Sequence, residues 1–135
     1  MATDTYDDLQ ASYGRCLRNK DFIDRFYEIF LASHDDIPAY FAPTDFRTQR
    51  LALRRGISVA ISYAGGSGLV QRTFDEMAQI HSRDGRVPVQ PELYSNWVDS
   101  LLKTVTEFDA ELTPALNRRW REAMGKTVAA FIQKY

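Results

Sequence analysis

Residues 69–81 read LVQRTFDEMAQIH, and this stretch decides how the rest of the chain is interpreted. Its apolar residues Val70, Phe74 and Met77 lie three and four positions apart, which predicts an amphipathic helix. The stretch ends at His81, one of two histidines in the chain. An imidazole at a helix end is the side chain with which an all-helical pocket binds iron held in a macrocycle. The alternative is a solvated histidine that stabilises the helix dipole.

Helical spacing of apolar residues also accounts for the remainder of the chain. No segment alternates apolar and polar residues as a strand does. The run Gly65-Gly66-Ser67-Gly68 ends one predicted helix and is not a phosphate-binding loop, because it has neither a preceding strand nor a following Lys-Ser or Lys-Thr pair. The predicted helices span about residues 5–18, 22–34, 35–41, 45–64, 69–81, 91–108 and 114–131. We therefore predict an all-α fold of about seven helices that cross at steep angles around a cavity.

Length and composition indicate a single domain, residues 1–135, with a mass of 15.5 kDa. Seventeen Lys and Arg residues against eighteen Asp and Glu residues give a formal net charge of -1, and the basic residues are scattered. This distribution disfavours binding to nucleic acid or to an anionic membrane. The one cysteine, Cys16, excludes an internal disulfide, and no apolar run has the features of a signal peptide or a membrane span. We expect a cytoplasmic protein.

Several short motifs follow one another in an order and at a spacing that identify a family. Phe41 lies fourteen residues after Tyr27, and His81 lies thirty-two residues after Gln49. The motifs are Phe26-Tyr27, Phe41, Gln49-Arg50, His81, Pro91-Glu92-Leu93-Tyr94, Trp120 and Phe131-Ile132. Together they resemble the bacterial single-domain globins and the globin domains of flavohaemoglobins and globin-coupled sensors, from about residue 21 to residue 132.

This resemblance implies a globin fold that binds haem b, with His81 as the axial ligand of the iron. The second ring nitrogen would then donate a hydrogen bond to a backbone carbonyl, a carboxylate or a hydroxyl such as that of Ser82. Phe41 would stack on the haem, or it would simply be a core residue at a corner of the fold. His34, the other histidine, would lie far from the iron as a capping or surface residue.

On the opposite side of the haem, the resemblance implies two hydrogen-bond donors. The Tyr27 hydroxyl would donate to O2 and favour it over CO, or it would instead bond to a nearby backbone group. Gln49 would be the second donor, unless it faces solvent. Leu53 would close the pocket above the iron.

Other residues complete the implied pocket. Met77 is expected to pack in it rather than to bind iron. Tyr94 matches a tyrosine that works with a glutamate in flavohaemoglobins, but Tyr135 occupies the place of that glutamate, which disfavours a strongly activated histidine. Arg86, with Arg50 and Arg83, would pair with haem propionates or remain a solvated surface residue.

The function implied is reversible binding of O2, CO and NO at the haem iron, for oxygen storage or transport, sensing or NO detoxification. NO dioxygenase or weak peroxidase activity would need an external reductant, which for NO dioxygenation would be a reductase, because no dinucleotide-binding fingerprint is present. The last two helices could form a homodimer. The alternative function is that of a haem-free helical interaction or regulatory domain that retains the globin fold.

Overall fold

The computed structural model describes residues 4–85 and 88–135, and all regular secondary structure within these ranges is helical. A turn of 3-10 helix, Gly68–Val70, leads directly into the fifth helix, so that this helix begins two residues later than its apolar pattern predicts. The helices are α1 (Asp7–Leu17), α2 (Phe22–Leu31), α3 (Ile37–Tyr40), α4 (Phe46–Ala64), α5 (Gln71–His81), α6 (Leu93–Phe108) and α7 (Pro114–Gln133). The predicted all-α architecture of about seven helices is confirmed.

Polar side chains define the beginning of two long helices. The Asp45 carboxylate accepts a hydrogen bond from the Arg47 backbone N–H at 3.0 Å, at the start of α4. The Thr113 hydroxyl accepts from the Leu116 backbone N–H at 3.0 Å, at the start of α7. Both bonds satisfy a backbone donor that has no partner within its own helix. Asp21 precedes α2 in helical conformation, and its side chain makes no such bond.

Two glycines, Gly65 and Gly66, allow α4 to end in close contact with the amino-terminal segment. Gly66 adopts a φ of 81°, a left-handed conformation that favours glycine. At Gly65, an added Cβ would lie 2.7 Å from the carbonyl oxygen of Thr5. The absence of a side chain at Gly65 therefore lets the amino-terminal segment pass close to the end of α4.

The main core is formed where α2 packs on α6 and α4 packs on α7. Its largest fully buried side chains include Phe22, Phe26 and Trp120, and Phe22 meets Phe108 edge to face with ring centroids 5.6 Å apart. A smaller cluster of Val59, Phe74 and Ala78 attaches α5 to α4 and α7. Through the described part of the chain, no helix has both the length and the apolar character needed to cross a membrane.

A buried polar network connects α1 to the corner between α6 and α7. Asp109 follows α6 and accepts two hydrogen bonds from the Arg15 guanidinium, at 2.7 and 2.9 Å. The Ser12 hydroxyl also donates to Asp109, and the Trp120 indole N–H donates to Ser12 at 3.0 Å. The adjacent Arg15 guanidinium lowers the pKa of Asp109. The ionised carboxylate thus holds three segments of the chain together.

Candidate functional site

An apolar cavity of about 530 Å³ lies between α4 and α5 and extends to α2, α6 and α7. Its wall on α4 includes Gln49, Leu53 and Gly56, and its wall on α5 includes Met77 and His81. Among the predicted site residues, those that line this cavity are Tyr27, Phe41, Gln49, Leu53, Met77, His81 and Tyr94. Arg86 lies outside the described residues. The fold therefore brings residues from α2, α4, α5, α6 and the α3–α4 connection to one place.

His81, the last residue of α5, is held in one orientation by a local hydrogen bond. Its Nδ1 lies 3.0 Å from the carbonyl oxygen of Met77, one helical turn earlier. Because a carbonyl can only accept, Nδ1 carries the proton and Nε2 has a free lone pair. Burial lowers the pKa of His81, which favours the neutral ring. The Ser82 hydroxyl donates instead to the Gln79 carbonyl at 2.8 Å, so the backbone supplies the partner of the imidazole.

An aromatic ring of α7, that of Phe131, packs against His81. The Phe131 ring is nearly parallel to the imidazole, with an interplanar angle of 8° and centroids 6.2 Å apart. Phe131 also stacks on Phe74 at 4.8 Å and on Tyr94 at 5.8 Å. These contacts restrict rotation of the imidazole. Phe131 can be placed in the apolar stripe of α7 from sequence, but nothing in its spacing indicates contact with His81.

Tyr27 and Gln49 form a polar part of the cavity wall. Tyr27 is 5% exposed, and its hydroxyl donates to the Gln49 backbone carbonyl at 3.4 Å. This distance is at the long limit for a hydrogen bond, so the bond is weak. Burial raises the pKa of Tyr27 to about 12, which keeps its phenol protonated and able to donate. The Phe41 ring packs edge to face on Tyr27, with centroids 5.8 Å apart.

Small and flexible side chains set the separation of the two walls. A Cβ added at Gly56 would lie 3.4 Å from the terminal methyl group of Met77, so α4 and α5 come close together there. Leu53 is buried one turn before Gly56. Tyr94 is half-buried on α6, and burial raises its pKa to about 12. These residues leave a narrow apolar space between the helices.

Two of the three arginines proposed for the rim of the pocket, Arg50 and Arg83, do not line the cavity. Arg50 is 3.6 Å from the Asp24 carboxylate and does not line the cavity. The guanidinium of Arg83 lies over the Tyr135 ring, 5.0 Å from its centroid. Arg55 does line the cavity, although the sequence pattern does not distinguish it from the other arginines of α4. His34 is exposed and accepts a hydrogen bond from the Asp36 backbone N–H, as expected for a surface residue.

Comparison with known proteins identifies one solved structure of the same fold. No protein-family model matches the chain, and no curated protein matches it. The chain is similar to protein PA3967 from Pseudomonas aeruginosa PAO1, whose crystal structure is described as structurally highly homologous to a human hemoglobin. The two sequences are 37% identical, the match covers 97% of this chain and 98% of the other, and the TM-score is 0.90.

Proposed function

The chain belongs to the globin family, and from that premise we propose that it binds haem b through His81 and takes up O2, CO or NO reversibly. The observation that carries this proposal is the state of His81 within the cavity. Its Nδ1 proton is held by the Met77 carbonyl, which leaves the Nε2 lone pair for a metal. The low pKa that burial gives the ring reduces competition from a second proton.

The cavity suits a flat, mostly apolar group with a few charges at one edge. Its volume of about 530 Å³ is within the range of protein sites for cofactors. Phe41, Leu53, Met77 and Tyr94 would pack against the group and exclude water from it. Haem would supply the iron at which a diatomic ligand binds, and the protein would control orientation, hydration and hydrogen bonding.

Tyr27 and Gln49 would select among the diatomic ligands. The Tyr27 phenol is a donor in the cavity wall, and its present bond to the Gln49 carbonyl is long enough to be exchanged for a better acceptor. Gln49 also lines the cavity, and its side-chain amide would offer a second donor. A partly negative ligand such as O2 gains more from these donors than CO does.

We place the physiological role in ligand binding, for oxygen storage or transport, sensing or NO detoxification in the cytoplasm. Catalytic consumption of NO or peroxide would require an external reductant. Tyr135 stands where related enzymes carry an activating glutamate, which supports binding over turnover. A homodimer through α6 and α7 belongs to the same proposal, because the outer face of α7 is solvent-exposed at Glu122, Gly125, Ala129 and Ile132.

Haem titration of the purified protein tests the role of His81. We expect the wild-type protein to bind one haem per chain with an intense Soret band and to form a ferrous CO complex. His81→Ala should abolish this spectrum or shift it, and added imidazole should restore a nitrogen-ligated spectrum by filling the vacated space. His34→Ala is the matched control, because His34 is exposed and lies outside the cavity.

Two outcomes would contradict the proposal. An unchanged haem spectrum in His81→Ala would show that another residue binds the iron. Failure of the folded wild-type protein to bind haem would favour the haem-free interaction or regulatory domain.

A further inference from the structure

We infer that Arg55 binds a carboxylate of the group held in the cavity, and that this group lies with its carboxylates at the opening between α4 and α5. The inference rests on the proposed function, in which the group is haem and the carboxylates are its two propionates. It assigns to an exposed arginine a binding role that neither the family resemblance nor the spacing of motifs indicates.

The cavity reaches solvent between α4 and α5. Ala52 and Arg55 on α4 and Glu76 on α5 are exposed, and all three also line the cavity. Thr73, half-buried on α5, lies on the same border. The deeper lining is mostly aromatic and aliphatic. An amphipathic group can therefore bury its apolar body and keep its charges in water by pointing them toward this opening.

Arg55 is the one arginine or lysine among the described residues that line the cavity, and Glu76 is the one carboxylate. Glu76 lies 3.4 Å from Arg72, so its charge already has a partner on α5. Within residues 4–85 and 88–135, no carboxylate lies within salt-bridge distance of Arg55. The charge pattern thus attracts an anionic ligand group toward α4 and disfavours its approach to Glu76.

The chemistry of arginine suits this role. A guanidinium presents two parallel N–H donors that match the two oxygens of a carboxylate. A fully exposed pair of this kind contributes little, because water and salt screen it. At the edge of an apolar cavity one side of the pair is shielded from water, and the ligand carboxylate is already fixed in place. Its loss should therefore speed ligand release measurably.

Haem release provides the test, because it does not depend on any activity of the loaded protein. The matched variants are Arg55→Leu and Arg54→Leu. Arg54 is also exposed on α4, but it does not line the cavity. Each protein is loaded with haem or with haem dimethyl ester, whose propionates carry no charge, and transfer to excess apomyoglobin is followed in the Soret region.

We expect the wild-type protein and Arg54→Leu each to release haem about tenfold more slowly than haem dimethyl ester. This ratio corresponds to one charge-assisted hydrogen-bonded pair. Arg55→Leu should release haem as fast as the ester, and Arg55→Lys should show a ratio between these two cases. Higher salt should shorten haem retention in the wild-type protein and leave the ester unaffected.

The inference is overturned if the wild-type protein releases haem and its ester at equal rates, or if Arg55→Leu keeps the full difference. Either result would leave the proposed function standing, since haem still binds. Absence of haem binding by the wild-type protein would remove the proposed function as well. If Arg55→Leu does not fold, Arg55→Lys takes its place: the ratio of haem retention to ester retention should then be smaller than in the wild-type protein, and an unchanged ratio overturns the inference.

Discussion

At the scale of single residues, Tyr27 supplies a buried hydroxyl donor to the cavity wall. Its hydroxyl is buried, protonated and bonded at 3.4 Å to a backbone carbonyl of its own chain. Such a long bond contributes little to folding, so the donor can be redirected at small cost. Of the two alternatives foreseen from sequence, the structure shows the bond to the backbone, and donation to a bound ligand stays a prediction for a residue that lines the cavity.

We predict that Tyr27→Phe accelerates O2 dissociation about tenfold and changes CO dissociation by less than about twofold. The reason is that only O2 carries enough negative charge to gain from the lost hydroxyl. Stopped-flow measurement of both rates on the haem-loaded protein provides the test. Tyr63→Phe is the control, because Tyr63 stacks on Phe74 outside the cavity lining. Equal changes for the two gases would show that the hydroxyl stays bonded to Gln49.

Among single residues, local contacts can be predicted from sequence spacing, whereas contacts between helices cannot. The hydrogen bond of His81 to the carbonyl four residues earlier is local, and a backbone carbonyl was among the partners foreseen. By contrast, Arg47, Arg50, Arg54 and Arg55 all lie on the exposed surface of α4. Which of them reaches the cavity depends on where α5 crosses α4. The spacing of apolar residues in α4 does not specify that crossing point.

At the scale of elements, Asp109 holds α1 against the junction of α6 and α7. Its side chain is fully buried and accepts from Arg15 and Ser12, while Trp120 donates to Ser12. Removing its charge would leave the Arg15 guanidinium without its closest partner in a largely buried place. Removing one partner of a buried ion pair destabilises the fold strongly, because the other partner keeps its charge.

We predict that Asp109→Asn lowers the free energy of unfolding by about 2–4 kcal/mol near neutral pH, as measured by urea denaturation. Asp99→Asn is the control. Asp99 lies 2.9 Å from Arg121 in an exposed pair, whose loss should cost less than about 1 kcal/mol. Equal losses for the two variants would contradict a structural role for the buried network.

At acid pH, the free energies of unfolding of the wild-type protein and of Asp109→Asn should differ less than they do near neutral pH. The pKa of Asp109 is lower in the folded protein than its ordinary value of 3.8, mainly because of Arg15. The carboxylate therefore stabilises the fold fully above that ordinary value, and this contribution is lost as the pH falls through the folded pKa. Repeating the denaturation near pH 3 should show a smaller difference between the two proteins.

At the scale of the whole molecule, the packing of α4 on α7 and of α2 on α6 keeps a space open between α4 and α5. The outer face of α7 does not take part in this core. Glu122, Gly125 and Ala129 are exposed there, and Ile132 is 42% exposed. Small residues let a second helix approach closely, and a twofold axis would bring this face against its own copy.

We predict that the protein is a dimer at high micromolar concentration, with twice the chain mass of 15.5 kDa by light scattering. Ala129→Arg should convert it to a monomer, because a long charged side chain would separate the paired faces. Ala11→Arg, on the exposed side of α1, should leave the dimer intact. A monomeric wild-type protein under these conditions would refute the α7 interface.

The sequence by itself determined the helices and the family, and it predicted seven of the residues that line the cavity. Periodic apolar residues specify a helix and its buried face locally. The number of residues that separate the family motifs from Tyr27 to His81 can also be read directly from the sequence. Only the tertiary structure decided the stacking of Phe131 on His81, the pairing of Arg15 with Asp109, and the choice of Arg55 at the opening. Each depends on how separate helices cross, and crossing is set by packing across the whole core, which no single segment encodes.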